Sequence, residues 1–221
     1  MKIKEKFISS ETEGRVLFMS DLHYNHQNII RHSQRPFKDV EEMNAFILGE
    51  LKSKIKSEDV LFDLGDLFWN MTPEKMCEIL DEIPTKKIYK VVGNHDKYGV
   101  YYGSGGLEVR KRFMMISDIL DIQVESWRTG KTYMVTMSHY PMISWNHKPH
   151  GSIHLHGHCH GNIDQYNNSS TDLRVDLSYD GKLSKELGSF IIDFEDIIQF
   201  FNNKTGGIDY RSWTINKCKE L

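Results

Sequence analysis

Cysteine is scarce in this chain: Cys77, Cys159 and Cys218 are its three, far apart in sequence. An odd and scattered set does not read as a disulfide framework, so a reducing, cytoplasmic setting is expected. Long apolar runs are missing as well. None approaches the roughly 18 residues that cross a bilayer, which argues against a membrane partner. The opening residues, MKIKEKFISSETEG, lack the apolar stretch of a secretory signal. No Pro-rich linker, low-complexity tract or internal repeat divides the 221 residues, and one domain over 1–221 is expected. Excess positive charge is absent too, with a net charge of −3 at pH 7. Proteins that coat nucleic acid or anionic membranes are usually basic. The lack of any CxxC pair argues against a mononuclear zinc module of the nucleic-acid-binding kind.

What the chain does contain is enough apolar material for a core, with 39% hydrophobic and 11% aromatic residues. RVLFMS (15–20), DVLFDLGD (59–66), KIYKVVGNHD (87–96), YMVTMSHYP (133–141), SIHLHGHCH (152–160) and LRVDLSYD (173–180) read as strands. Asp39, followed by Glu42 three residues on, predicts a capping box for a helix whose apolar face is Met43, Ile47, Leu51 and Ile55. Thr72-Pro73 predicts a second helix start, and IDFEDIIQFF (192–201) a third helix with Asp193 as its cap. Early strands alternate with helices and later ones follow each other directly. That pattern predicts an α/β sandwich, parallel early and mixed later.

The polar residues gather where these strands end. Asp21 and His23, Asp66, Asn94 and His95, His139, and His158 and His160 each follow a predicted strand. In open α/β sheets ligands bind outside the carboxyl ends of the strands. Such a set, rich in imidazole, suits Mn, Fe, Zn, Ni or Co better than the all-oxygen shell preferred by Mg or Ca. In IHLHGHCHG (153–161) four histidines alternate. His158 and His160 lie past the strand end. His154 and His156 lie back along it and are expected to be structural, while Cys159 should point away from the ligands.

In this order, SDLH, LGDL, GNHD, SHYP and HGHCHG resemble the calcineurin-like metallophosphoesterases. NIIRHSQRPFKDVEEMN and HYPMISWN are similar to a compact single-domain branch found in bacteria and phages. The resemblance implies a four-layer αββα sandwich of two mixed β-sheets flanked by helices. Its metal motifs fall within 19–161, and 172–221 completes the fold. It also implies two divalent transition metal ions, one held by Asp21, His23 and His160 and the other by Asn94, His139 and His158. Asp66 would bridge them, one oxygen to each, and a hydroxide held between the ions would attack phosphorus. Two cations roughly 3.5–4 Å apart require such an anionic bridge. Asp66 and Asn94 thus belong to the catalytic group, and His95 becomes the general acid. Asp96 would orient His95 or cap the segment that follows.

Departures from relatives bear on substrate. Protein phosphatases of the superfamily extend the second motif to GDxxDRG, and its double-strand-break nucleases often carry His where Trp69 stands; this chain reads GDLFWN. A phosphodiester or nucleotide-type ester is therefore favoured, with a nucleic-acid substrate possible. The alternatives are a phosphomonoesterase or protein phosphatase, or a catalytically silent metal-binding scaffold. Candidate substrate contacts each have two readings. Arg35 clamps phosphate or pairs with a surface carboxylate. His26 reaches the cleft or packs a helix start. Tyr98, Tyr101 and Tyr102, in the Gly-rich loop DKYGVYYGSGG (96–106), receive a base or pack beneath the loop. Trp145 and Asn146, with His147, would line the cleft. Oligomeric state is not legible.

Overall fold

The computed structural model describes residues 1–212. Cys218 and the last part of the expected C-terminal segment lie outside them. Ten strands are β1 (Lys2–Ile8), β2 (Val16–Met19), β3 (Val60–Asp63), β4 (Lys87–Val91), β5 (Met115–Ser117), β6 (Ile119–Glu125), β7 (Thr132–Ser138), β8 (Ile153–His156), β9 (Arg174–Asp176) and β10 (Ile192–Asp193). They form two five-stranded sheets, ordered β1-β6-β7-β8-β9 and β10-β2-β3-β4-β5. Both sheets are mixed. In the second, β2, β3, β4 and β5 run parallel and β10 pairs antiparallel with β2. In the first, among the described residues, only β6 and β7 are antiparallel neighbours. The helices α1 (Gln27–His32), α2 (Val40–Lys54), α3 (Pro73–Asp81), α4 (Tyr98–Tyr101), α5 (Leu107–Arg110), α6 (Asp164–Ser169), α7 (Lys182–Leu187) and α8 (Phe194–Thr205) flank them.

The parallel strands are apolar on both faces because both faces are covered. In β2, Val16 and Phe18 enter the core between the sheets, and Leu17 and Met19 pack under the helices. Phe18, Phe62 and Tyr89 are cross-strand neighbours whose rings stack at 5.4 and 4.9 Å. Phe7 of the opposite sheet meets both Phe62 and Tyr89 edge-on. Met43, Ile47 and Leu51 of α2 and Met76 and Leu80 of α3 cover the outer face of the second sheet. The Asp39 cap forms, accepting from the Glu42 N–H at 2.9 Å. The expected box does not close: Glu42 accepts instead from Lys38, one residue before the cap. Residues 192–193, expected in the last helix, pair with β2, and α8 starts at Phe194 behind the Asp193 cap.

Both faces of β8 are buried as well. Ile153 and Leu155 face the inter-sheet core. His154 and His156 are fully buried, as structural rings should be. His154 Nε2 accepts from the Met142 N–H, and its Nδ1 lies 3.1 Å from the Thr136 carbonyl. His156 Nδ1 donates to the Gly157 carbonyl, and Nε2 accepts from Asn167. Burial pushes both rings down from the ordinary 6.5 to about 3. Below pH 6.5 the unfolded chain therefore binds protons that the folded chain refuses, and stability falls with pH. The slope approaches about 1.4 kcal/mol per pH unit per ring. Denaturant unfolding of chelated protein between pH 7 and 5 should follow it, and His154→Gln should flatten the curve. Equal slopes in variant and parent would contradict this.

Candidate metal centre

The second sheet ends in three loops that turn back on themselves. Asp21 (φ 55°), His23 (φ 52°) and Asp66 (φ 55°) take left-handed backbone conformations, as do His158 (φ 68°) and His160 (φ 48°) after β8. Each such non-glycine residue costs about 1–3 kcal/mol, and strain of this kind collects at functional sites. Gly157 is required where it stands, because a Cβ there would collide with the Ser20 hydroxyl and the Asp21 carboxylate.

These turns bring all seven expected ligands together. Asp21 Oδ1 lies 3.8 Å from His23 Nε2 and 3.5 Å from His160 Nε2. Asn94 Oδ1 lies 2.9 Å from His139 Nε2 and 2.8 Å from His158 Nδ1. Asp66 Oδ2 stands between the two groups, 3.9 Å from His23 Nε2 and 3.3 Å from His139 Nε2. Its other oxygen, Oδ1, accepts the His95 N–H at 2.8 Å. One Asp66 oxygen was expected for each side; here Oδ2 lies near both groups while Oδ1 is engaged by the His95 N–H.

Neighbours aim each ring. His139 Nδ1 donates to the Leu64 carbonyl at 2.9 Å, which turns Nε2 inward. His160 Nδ1 is held by Asp180 at 2.8 Å, and His23 Nδ1 lies 3.2 Å from His26 Nδ1. Asp21 Oδ2 accepts from Ser20 and from the His158 N–H, leaving Oδ1 free. Among the described residues, Asp21 Oδ1 and His23 Nε2 then find no hydrogen-bond partner, and both atoms are buried. Burial raises Asp21 to about 6 against the pull of His139 and His160, and lowers His23 to about 2 against the pull of Asp66. Burial would also lower His139, but its bond to Asp66 and the charges of Asp21 and Asp66 outweigh that and lift it to about 9. Buried donors without partners, facing one another among imidazoles, are the environment a divalent cation would satisfy.

A third cluster, His156, Cys159 and Asp176, is as compact but lacks orphans. Both His156 nitrogens are engaged, Asp176 accepts the Gly161 and Ser178 N–H groups, and burial pushes the Cys159 thiol up to about 11. It is a brace behind the strand end.

Several expected roles need correction. Arg35 is buried, with its guanidinium on Asp180 and on the carbonyls of Asp21 and Leu22, so no phosphate can reach it. Tyr101 is 2% exposed, beneath Lys90 and Phe113, and offers no stacking face. The loop around it is folded into α4, a 3-10 turn and α5. Trp145 is buried over His154 and donates to Ser152, and Asn146 donates to Asp121; neither side chain points to the ligand cluster. His26 does belong to the site's wall, stacked on Trp69 at 3.7 Å and 5°. His95 is exposed, with its ring 4.7 Å from Trp69 and 5.4 Å from His23. Asp96 neither orients that ring nor caps a helix: it accepts the Gly93 and Asp66 N–H groups. Asp180, which aims His160, was missed, although it too follows a predicted strand.

A sequence model of the calcineurin-like phosphoesterases matches residues 14–180. An uncharacterized protein of Methanocaldococcus jannaschii is 30% identical over 153 residues, covering 69% of this chain and 73% of its own. A crystal structure of a protein of unknown function from Aquifex aeolicus superposes with a TM-score of 0.57 at 23% identity, over 85% of this chain and 99% of that one. That likeness is one of fold.

Beneath the centre, the fully buried Lys90 ammonium lies 2.7 Å from both Asp63 and Asp96. Lys90→Met would strand two buried carboxylates, and denaturant unfolding should register a loss of about 3–5 kcal/mol. Removing all three charges together, in Asp63→Asn/Lys90→Met/Asp96→Asn, should recover most of it. A single variant as stable as the parent would show that the ion cluster carries no such weight.

Proposed function

The chain belongs to the calcineurin-like phosphoesterases, metal-dependent hydrolases of phosphate esters, and on that premise we propose that it cleaves a phosphodiester or nucleotide-type substrate at a dinuclear centre. Asp21, His23 and His160 would hold one ion and Asn94, His139 and His158 the other, with Asp66 shared between them. Support comes above all from the orphaned Asp21 Oδ1 and His23 Nε2, buried beside that shared carboxylate. The imidazole-rich donor set favours Mn, Fe, Zn, Ni or Co. Bound ions of this kind neutralise phosphate oxygens and lower the pKa of water towards neutrality.

The protein's own groups do the rest. The Asp66 carboxylate fixes the GNHD loop by accepting the His95 N–H, so the exposed His95 ring sits beside the donors without joining them. From there it protonates the departing alkoxide, a role typically worth about 10²–10⁴-fold. Trp69 and Asn70 occupy the positions where protein phosphatases carry their added Asp and Arg, which weighs for diesters over phosphoproteins. A nucleic-acid end remains within this substrate class. The free thiols of Cys77 and Cys159 fit a reducing, cytoplasmic compartment.

Elemental analysis tests the centre. Asp66→Asn removes the charge that separates the cations, and the variant should retain far less metal than the parent; two tightly held ions would sink the shared-ligand role. Leaving-group dependence tests His95. With metal content unchanged, His95→Ala should lose about 10²–10⁴-fold in kcat/KM on alkyl or ribose esters and much less on p-nitrophenyl esters. An equal loss on both would move the proton-donor role elsewhere.

A further inference from the structure

We propose that Tyr140 determines specificity by receiving the flat organic group on the retained arm of a phosphodiester, at the end of the site away from the proton donor. This rests on the dinuclear phosphodiesterase reading above. Tyr140 follows His139 directly, and the residue is 50% exposed. It meets His158 edge to face at 4.6 Å and 60°, and His139 at 5.3 Å and 77°. Among the described residues, no hydrogen bond engages its hydroxyl. An exposed aromatic ring against two metal-ligand imidazoles has a free surface over a polar site.

The platform is held rigid from below. Ser138 donates to the Tyr140 carbonyl, and Pro141 follows. His154 then takes the Met142 N–H, and Arg174 donates to the Met142 carbonyl at 2.7 Å. A second ring stands at the opposite end. Trp69 packs 4.7 Å from His95 and is stacked on His26, which in turn steadies His23. The donors thus lie in a row between two aromatic walls, Trp69 beside His23 and His95, Tyr140 beside His139 and His158. The leaving group must lie near His95 to receive its proton, and so at the Trp69 end. A monoester needs nothing more. A diester has a second arm, and Tyr140 is the ring at the other end of the row. A tyrosine face accepts any flat ring, and base–aromatic stacking of this kind commonly changes binding by about tenfold or more.

The test uses the Mn-loaded protein and three esters: p-nitrophenyl phosphate, methyl p-nitrophenyl phosphate and thymidine 5′-(p-nitrophenyl phosphate). The last two share a leaving group and differ in the retained arm. Wild type should prefer the thymidine ester. Tyr140→Leu, which keeps apolar bulk against His158, should lower the ratio of kcat/KM for thymidine over methyl ester about tenfold, mainly through KM. Tyr140→Phe should preserve the ratio. Metal content is measured for each variant. A ratio near one in wild type, or an unchanged ratio in Tyr140→Leu, overturns the proposal; if that variant also loses metal, Tyr140 only packs His158. Cleavage of the monoester with neither diester touched would instead sink the phosphodiester reading, and this proposal with it.

Discussion

One buried ammonium holds the two central loops of the site in place. Lys90 and Asp63 are paired neighbours on β4 and β3, so a cation and an anion meet where two parallel strands end. The same ammonium reaches Asp96, the last residue of GNHD. Asp96 then takes the N–H groups of Gly93 and Asp66, and Asp66 takes that of His95. A chain of charge-assisted bonds thus runs from Lys90 to the Asp66 carboxylate and the backbone N–H of His95. Burial alone would strip the Lys90 proton, but Asp63 and Asp96 outweigh it and raise its pKa. Buried ion pairs contribute little net stability, because desolvation offsets attraction. What this one contributes is position: it sets the spacing between Asp66 and Asn94, on which the two donor groups depend.

The loops that carry the candidate ligands are strained and partly unsatisfied. Five of the donor residues sit at positive φ, and two donor atoms are buried without partners. Both features lower stability, and a cation at the unpartnered atoms would offset part of that cost, which would link metal binding to folding. The surrounding structure opposes this strain with ordinary means: an aromatic ladder between the sheets, helices on the outer face, and histidines buried as neutral rings. The division is visible within IHLHGHCHG. His154 and His156 have every nitrogen engaged, whereas His160 Nε2 faces Asp21 and His158 Nδ1 faces Asn94.

Much of this was legible in the chain. Apolar runs of four to six residues ending in Asp, Asn or His are a local signal, because strand direction and residue order are local. The seven candidate ligands and the main strands follow from it, and the Asp39, Thr72 and Asp193 caps follow from helix-start patterns that are equally local. Asp180 obeys the same rule and was passed over because no motif marks it. The strands β1, β5, β6 and β10 were not foreseen. Three of them are edge strands, whose partners lie far along the chain.

Alone, the sequence determined which residue types stand at the strand ends, and hence the metal-binding chemistry, since both are properties of neighbours along the chain. Tertiary structure decided which side chains face that site and which are spent elsewhere. Arg35 looked like a phosphate clamp until Asp180, 145 positions away, closed on its guanidinium. Tyr101 looked like a stacking surface until the fold buried it beneath Lys90, leaving Tyr140 as an exposed ring beside the candidate ligands. It also decided that one Asp66 oxygen lies near both donor groups while the other is engaged by a backbone N–H 29 residues on. Burial and hydrogen-bond partnership depend on what packs from distant parts of the chain, and no local pattern encodes them.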